Sequence, residues 1–103
     1  MKINTLPPAK QAIRKTARYI QREFGRQSRE KFLLTLKETK VLLASNPHLG
    51  PIEPLLADLP SSYRSVVVAK INKIIYRIVD DCIEIADLWD TRREPKSQAN
   101  EIK

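Results

Sequence analysis

The fold of this chain is decided by residues 63–95, which read YRSVVVAKINKIIYRIVDDCIEIADLWDTRREP. Three short runs rich in β-branched residues are separated by two turns, at Ile71-Asn72 and Asp80-Asp81. Apolar runs of this length between turn residues are typical of β-strands joined as hairpins. The segment therefore predicts a three-stranded antiparallel meander, with strands at about 62–70, 73–80 and 82–90.

Positive charge recurs along the same segment. The chain has 19 Lys and Arg residues against 12 Asp and Glu, which gives a formal net charge of +7. A small protein with this charge attracts polyanions over long range, and the attraction weakens as salt rises. The pattern favours nucleic acid or an acidic protein as partner, although the charge of a basic protein can also serve solubility alone. The cations of the meander segment are Arg64, Lys70, Lys73, Arg77, Arg92 and Arg93.

Length and composition limit the organisation of the chain. Its 103 residues suit a single domain, 1–103, with one hydrophobic core. The only cysteine, Cys82, has no partner for an internal disulfide, and we expect a small buried apolar residue in a reducing compartment. No apolar run approaches the roughly 20 residues that span a membrane, and the N-terminus lacks the apolar stretch of a secretory signal. We therefore expect a cytoplasmic protein that does not associate with a membrane.

The N-terminal half begins with a short strand and a helix. Ile3 and Leu6 precede Pro7-Pro8, which predicts a strand at about 2–6 that proline ends, because proline cannot donate a ladder hydrogen bond. Apolar residues then recur at helical spacing, so we predict a helix at about 8–24. Gly25 is expected to close this helix in the left-handed αL conformation.

A second helix is predicted at about 28–45. Ser28 is a suitable N-cap, and Glu30 in the first turn would complement the positive end of the helix dipole. Leu34 and Val41 fall on the side of the helix opposite to its main apolar face. They indicate either a helix enclosed between its neighbour and the sheet, or a contact surface for another chain.

The two helices are separated by only two or three residues, which predicts an antiparallel hairpin. We expect this hairpin to cover one face of the sheet. The side chains predicted to make that contact are Ile13, Ile20, Phe32 and Leu36.

The segment from Pro47 to Ser62 reads as an ordered loop, because its leucines can anchor it despite four prolines. It contains His48, the only histidine of the chain. A single histidine, far in sequence from the single cysteine, makes a metal site improbable, and we expect none. At the other end of the chain, residues 96–103 are expected to form a frayed tail.

Most enzyme motifs are absent from the sequence. The two glycines cannot form a Gly-rich phosphate loop, and we expect no cofactor. The cations and the two tyrosines of the meander, Tyr63 and Tyr76, could in principle cleave RNA. That reaction needs a proton acceptor, cations on the phosphate and a donor to the leaving oxygen. The alternative is that both tyrosines are aromatic residues at the edge of the core.

Several short motifs follow one another in a fixed order along the chain. Their order and spacing resemble those of toxins of the RelE/ParE superfamily, which belong to bacterial type II toxin–antitoxin systems. The resemblance covers nearly the whole chain. The resemblance implies an α+β fold: a short N-terminal strand, a helical hairpin and an antiparallel sheet. It also implies a cognate antitoxin that wraps the toxin. The motifs are Phe24-Gly25, Asn46-Pro47-His48-Leu49-Gly50, Tyr63-Arg64, Lys70-x-x-Lys73-Ile74-Ile75-Tyr76 and Trp89-Asp90-Thr91-Arg92-Arg93-x-Pro95.

The resemblance implies one of two mechanisms. RelE-like members cut messenger RNA in the ribosomal A site, whereas ParE-like members poison DNA gyrase and show no nuclease chemistry. In an ungapped comparison, a catalytic lysine position of RelE-like sites falls on Val66 and a tyrosine position falls on Ala99. The positions that keep a cation are Arg64, Lys73 and Arg93.

Two of the five RelE-like groups are therefore missing, and the long hairpin with its N-P-x-x-G ending looks more ParE-like. We predict inhibition of DNA gyrase, with RelE-like cleavage of mRNA on the ribosome as the alternative and a non-toxic nucleic-acid-binding module as a further one. If the chain is RelE-like, Arg64, Lys73 and Arg93 would be catalytic, and Tyr76 or Lys70 would transfer a proton. The residues predicted to bind a partner are Lys70, Tyr76, Arg77 and Arg92.

Overall fold

The computed structural model describes residues 1–92 and Ile102. It confirms the predicted α+β fold, in which a strand and two helices precede a three-stranded meander. A single 3₁₀ turn, Pro54–Leu56, lies in the loop between the two halves. The other elements of the described residues are β1 (Lys2–Thr5), α1 (Pro7–Phe24), α2 (Arg26–Ser45), β2 (Tyr63–Ala69), β3 (Asn72–Val79) and β4 (Cys82–Asp90).

The strands form one sheet in the order β1-β4-β3-β2. The meander is antiparallel as predicted, but β1 pairs in parallel with β4, from Lys2 opposite Cys82 to Thr5 opposite Ile85. The sheet is therefore mixed rather than purely antiparallel. The amide of Leu6 still donates to the Ile85 carbonyl at 3.0 Å, and Pro7 then begins α1. The pairing with β1 thus covers the first half of β4 and leaves Asp87–Asp90 outside it.

The connection between the helices is shorter than predicted. Gly25 alone ends α1 and begins α2, with φ 95° and ψ 173°, a conformation open to glycine but outside the αL region that we expected. Because α2 begins at Arg26, Ser28 lies inside the helix, and its hydroxyl donates to the Phe24 carbonyl at 3.2 Å. Glu30 forms an (i, i+4) ion pair with Arg26 and is not in the first turn.

The helical hairpin covers one face of the sheet, as predicted. Phe32 and Leu36 are buried in this core, and Ile13 and Ile20 pack against it. No helix of the described residues combines the length and apolar character that crossing a membrane requires. The sheet contributes Val68, Ile74, Tyr76, Ile83, Ile85 and Leu88 to the same core.

The opposite face of the sheet is covered by the loop that precedes the meander. Leu56 packs there with Ile75 and Trp89 in a second, smaller cluster. Leu55 and Leu59 extend it, so the leucines of the loop anchor it as the sequence predicted. The charged residues of the meander that point to this side are therefore partly enclosed beneath the loop.

The strand β2 lies at the edge of the sheet. Apolar residues on both faces of a strand, which β2 has, are more typical of a central strand. The loop covers the first half of that edge, where the Ser65 amide donates to Pro51 at 3.0 Å and the Glu53 amide donates to Tyr63 at 2.8 Å. Val67, beyond this cover, is 65% exposed. Likewise Cys82 is half-buried rather than buried.

Candidate functional site

The loop after α2 is fixed to the sheet by the side chain of Tyr76. Its ring is fully buried, and its hydroxyl donates to the Pro47 carbonyl at 2.8 Å and accepts from the Gly50 amide at 2.9 Å. Burial raises the pKa of the phenol, although the Gly50 hydrogen bond and the Arg64 charge act in the opposite direction. Tyr76, predicted to bind a partner, therefore presents no surface to one in this structure and instead holds the loop in place.

Gly50 lies where the loop and β2 approach most closely. A Cβ at this position would stand 2.3 Å from the Ser65 carbonyl oxygen and 3.1 Å from the Tyr76 ring. The guanidinium of Arg64 donates to the Gly50 carbonyl at 2.8 Å. Packing thus requires glycine at the end of the N-P-x-x-G motif. Arg64, a predicted phosphate-binding residue, is directed at the backbone of the same loop.

Lys73 lies on the loop side of the sheet, where its ammonium group donates a short hydrogen bond to Glu53 and forms an ion pair with it. The Glu53 side chain is only 2% exposed, against 23% for Lys73. The same ammonium group stands 5.2 Å from the centre of the Trp89 ring, which is a cation–π contact. The charge of Lys73 is therefore balanced inside the fold.

The Glu53 carboxylate is held by several donors. Burial alone would raise its pKa, because it penalises the charged form. The hydrogen bonds from Lys73 and from the Leu55 amide, together with the Lys73 charge and the Ser65 hydroxyl, outweigh burial, so the pKa is lowered. The Leu55 amide donates to the second carboxylate oxygen at 3.1 Å. Glu53 is therefore ionised at neutral pH and ties the loop to β3 by charge.

Arg77 is engaged in a similar way on the same face. Its Nε donates to Glu84 at 2.9 Å, and Nη1 donates to the Ser61 hydroxyl at 2.9 Å. The guanidinium also lies 5.6 Å from the centre of the Tyr63 ring. Arg77 was predicted to bind a partner, but three contacts within the protein already hold it. Tyr63 is half-buried beneath the Arg77 guanidinium, which agrees with the alternative that this tyrosine is an aromatic residue at the edge of the core.

The other predicted binding residues lie at the ends of strands. Lys70 is exposed in the turn between β2 and β3, which the structure places at Lys70-Ile71 instead of Ile71-Asn72. Arg92 is exposed after β4 and donates to Asp90 from Nε at 3.2 Å and from Nη2 at 3.1 Å. These contacts with Asp90 raise the pKa of the guanidinium.

Three expectations concern the C-terminal segment. Arg93 was predicted as a catalytic cation, Ala99 stands at a tyrosine position of RelE-like sites, and residues 96–103 were expected to fray. All three lie outside the described residues, except that Ile102 packs against the second core cluster beside Leu56 and Trp89.

A cleft of about 780 Å³ separates the C-terminal half of α1 from the turn between β2 and β3. Arg18, Arg22 and Arg92 line it, together with Tyr19 and Phe24. Asp90, to which Arg92 is bonded, lines the cleft as well, so the cleft holds one carboxylate beside these cations.

Sequence reasoning did not find Glu53, which determines the state of Lys73. A single carboxylate between Ile52 and Pro54, in a loop rich in leucine, was the available signal. Among residues 1–92, no three His, Cys, Asp or Glu side chains are grouped closely enough to hold a metal ion.

Comparisons with known proteins agree with this architecture. The family described as "ParE toxin of type II toxin-antitoxin system, parDE" matches residues 3–95. A structure of the chromosomal ParDE system from P. aeruginosa is similar with a TM-score of 0.73 and 14% identity, over 89% of this chain and 97% of that one. Curated protein sequences gave no match.

Two structures from Staphylococcus aureus share the fold more distantly. A YoeB dimer is similar with a TM-score of 0.56 and 22% identity, over 84% of this chain and 92% of that one. A YoeB–YefM complex gives a TM-score of 0.54 and 23% identity, over 85% and 93% of the two chains.

The family match extends over most of the chain, and the chain belongs to the ParE toxin family. It is therefore the toxin of a type II toxin–antitoxin system. This membership decides against the alternative of a non-toxic nucleic-acid-binding module.

Proposed function

We propose that this toxin acts in the cytoplasm by inhibiting DNA gyrase. This choice rests on one observation: Lys73 and Tyr76 already use their polar groups for contacts within the protein. Lys73 is paired with buried Glu53, and the Tyr76 hydroxyl is bonded on both sides within the fold. RNA cleavage by proton transfer needs an acid and a base that reach the substrate. Because both residues are held by internal contacts, this surface is better suited to binding a protein target than to transferring protons.

Val66 supports the same choice. Val66, where RelE-like sites have a catalytic lysine, is half-buried and packs against the helical core. A charged side chain there would have to leave that contact. RelE-like cleavage of mRNA on the ribosome is the second candidate, because Arg64 and Lys73 keep the cationic positions of such sites.

The test pairs two assays on the same purified chain. The first measures supercoiling by gyrase, and the second measures cleavage of a message on translating ribosomes. We expect the toxin to reduce supercoiling and to leave the message intact. Cleavage that is abolished by Arg93→Ala, with supercoiling unaffected, would replace gyrase by the ribosome as the target.

A cognate antitoxin is the second part of the proposal. The ParDE and YoeB–YefM structures are those of toxins with their antitoxins. On this chain, α2 exposes Leu34 by 56%, Val41 by 62% and Leu42 by 54%. Leu34 and Val41 are two helical turns apart and so share one side of the helix. Exposed apolar side chains on one side of a helix are characteristic of a protein-binding surface. We propose that the antitoxin covers them.

The double variant Leu34→Lys/Val41→Lys tests this surface. If both side chains are buried by the antitoxin, the affinity should fall by about 2–4 kcal/mol, which is roughly 30-fold to 1,000-fold. The matched control is Gln11→Lys/Gln21→Lys, which adds the same two charges at exposed positions of α1 and should leave the affinity within a few-fold. Unchanged affinity of the leucine–valine variant would place the antitoxin elsewhere.

A further inference from the structure

The outer face of α1 between residues 10 and 22 is composed only of cations and amides. Between residues 10 and 22, every exposed residue is lysine, arginine or glutamine. No carboxylate and no exposed apolar side chain interrupts this face. Its residues are Lys10, Gln11, Arg14, Lys15, Arg18, Gln21 and Arg22.

Four of these cations form a row along the helix. Lys10, Arg14, Arg18 and Arg22 follow one another at intervals of four residues, so each is a neighbour of the next on the helix surface. At 1.5 Å of rise per residue, the row is about 18 Å long. Like charges at this spacing destabilise a helix. Folding alone therefore does not favour the row.

Most cations of this face take part in no ion pair with another described residue. The ion pairs formed among residues 1–92 do not include Lys10, Arg14, Lys15 or Arg18. Arg22 alone has a carboxylate, that of Glu23 at 3.3 Å, and both side chains are exposed.

The first cation of the row lies near a lysine of α2. The Lys40 side chain is half-buried beside α1 and donates to the Thr5 hydroxyl at 3.1 Å. Burial lowers its pKa, and the nearby charge of Lys10 lowers it further. Lys10, at the start of the row, therefore lies close enough to Lys40 to disfavour a second positive charge there.

The composition of this face discriminates between kinds of partner. Protein–protein interfaces contain arginine but also apolar and aromatic side chains at their centre, which this face lacks, whereas protein–DNA interfaces are strongly positive. Single-stranded nucleic acid is held largely by stacking of its bases on aromatic side chains. Tyr19 is half-buried, and the exposed Phe24 lies beyond the end of the row, so the row itself offers no stacking surface. Duplex DNA is held through its phosphates, by arginine, lysine and also glutamine side chains.

We propose that the outer face of α1 binds the phosphate backbone of duplex DNA without reading its sequence. This surface is separate from the apolar side of α2 and from the paired cations of the sheet. The inference does not depend on gyrase as the target, because it concerns contact of the toxin itself with DNA.

The test measures binding of the full chain to a fluorescent DNA duplex of about 20 base pairs of arbitrary sequence, between about 50 and 200 mM salt. The variant Arg14→Gln/Arg18→Gln removes two charges from the row. Its control, Lys31→Gln/Lys37→Gln, removes two exposed charges from α2, so both variants have the same net charge. Circular dichroism and thermal unfolding establish that each variant is folded.

We expect the slope of log affinity against log salt to become shallower by about 1.8 in the α1 variant, since each neutralised phosphate contributes about 0.9. The control should change the slope little. Equal changes in the two variants would overturn the proposal, because general charge would then explain binding. It would also be overturned by the absence of duplex binding at low salt, or by equal or tighter binding of single-stranded RNA or polyglutamate.

Discussion

The cations of the sheet and the cations of α1 are alike in type but differ in their surroundings. On the sheet, Lys73 faces Glu53 and Arg77 faces Glu84, and both basic side chains are largely enclosed. On α1, Arg14 and Arg18 are exposed and have no carboxylate within the ion pairs of residues 1–92. Lys73 and Arg77 therefore contribute to folding, whereas Arg14 and Arg18 have no such carboxylate partner among the described residues.

The difference shows why a count of charges is a poor guide to a binding surface. Both regions increase the net charge that steers the protein towards polyanions. A cation that already has a carboxylate partner must break that ion pair before it can bind a phosphate and release counterions from a nucleic acid. A cation without such a partner binds the phosphate with no loss of stability. The same substitution, from a cation to a neutral residue, should therefore have opposite effects on stability in the two regions.

The largest expected effect is that of Glu53→Gln, which leaves the Lys73 ammonium group against a neutral amide. Removing one partner of a buried ion pair costs about 3–5 kcal/mol, and the partial exposure of Lys73 reduces this figure. We expect the free energy of unfolding in urea to fall by about 2 kcal/mol.

The double variant Glu53→Gln/Lys73→Met is the control for that prediction. It removes both charges and keeps apolar contact with Trp89, so it should recover part of the lost stability. A loss below about 0.5 kcal/mol for Glu53→Gln would mean that the pair contributes no more than a surface ion pair.

Glu53 should also affect how the stability of the protein depends on pH, and this effect should be smaller. The pKa of Glu53 is lowered on folding from an ordinary value of 4.5, so the folded protein binds this proton less readily than the unfolded chain. The stabilisation is therefore complete above pH 4.5 and is lost as the pH falls through the lowered pKa. Thermal unfolding from pH 7 to pH 3 should show a shallower decline for Glu53→Gln than for the native chain. Parallel curves would contradict the assignment.

Arg77→Gln should lower stability by about 1 kcal/mol, because it removes a partly enclosed ion pair with Glu84 and a hydrogen bond to Ser61. Lys70→Gln is the matched control, since Lys70 is exposed in a turn, and its effect should lie within about 0.5 kcal/mol of zero. If the two substitutions lower the free energy of unfolding in urea equally, the internal contacts of Arg77 contribute nothing beyond what an exposed lysine contributes.

The fold was largely predictable because its signals are local. Helical spacing, the prolines and the turn at Asp80-Asp81 each act over a few residues, and the predicted elements match the observed ones within two residues. The edge position of β2 and the parallel pairing of β1 were not predictable in this way. Both depend on which strands meet in space, and alternation within a strand does not encode that.

The candidate site was less predictable for a related reason. The chemistry of Lys73 and Tyr76 depends on Glu53, Pro47 and Gly50, which lie 20 or more residues away in sequence. A sequence shows that a lysine is present but does not show whether a distant carboxylate neutralises it. The exposed side of α1 is easier to derive from the sequence, since helical spacing determines which of its residues share a side.

The smallest expected effect is on α1, and its sign is opposite to that at Arg77. Arg18 has like charges at Arg14 and Arg22, four residues away on either side, and Lys15 is also near. Each such pair destabilises a helix by roughly 0.2–0.5 kcal/mol, and glutamine has a helix propensity close to that of arginine. Arg18→Gln should therefore raise the free energy of unfolding by about 0.5 kcal/mol at low salt, while it weakens binding to duplex DNA.

The gain should disappear at about 1 M salt, where the Debye length is about 3 Å and the repulsion along the row is screened. Urea unfolding at the two salt concentrations, beside DNA binding at low salt, separates the two roles of the residue. A variant that loses stability at low salt would show that Arg18 has an internal partner. The α1 cations would then belong with those of the sheet, as part of the fold rather than of a binding surface.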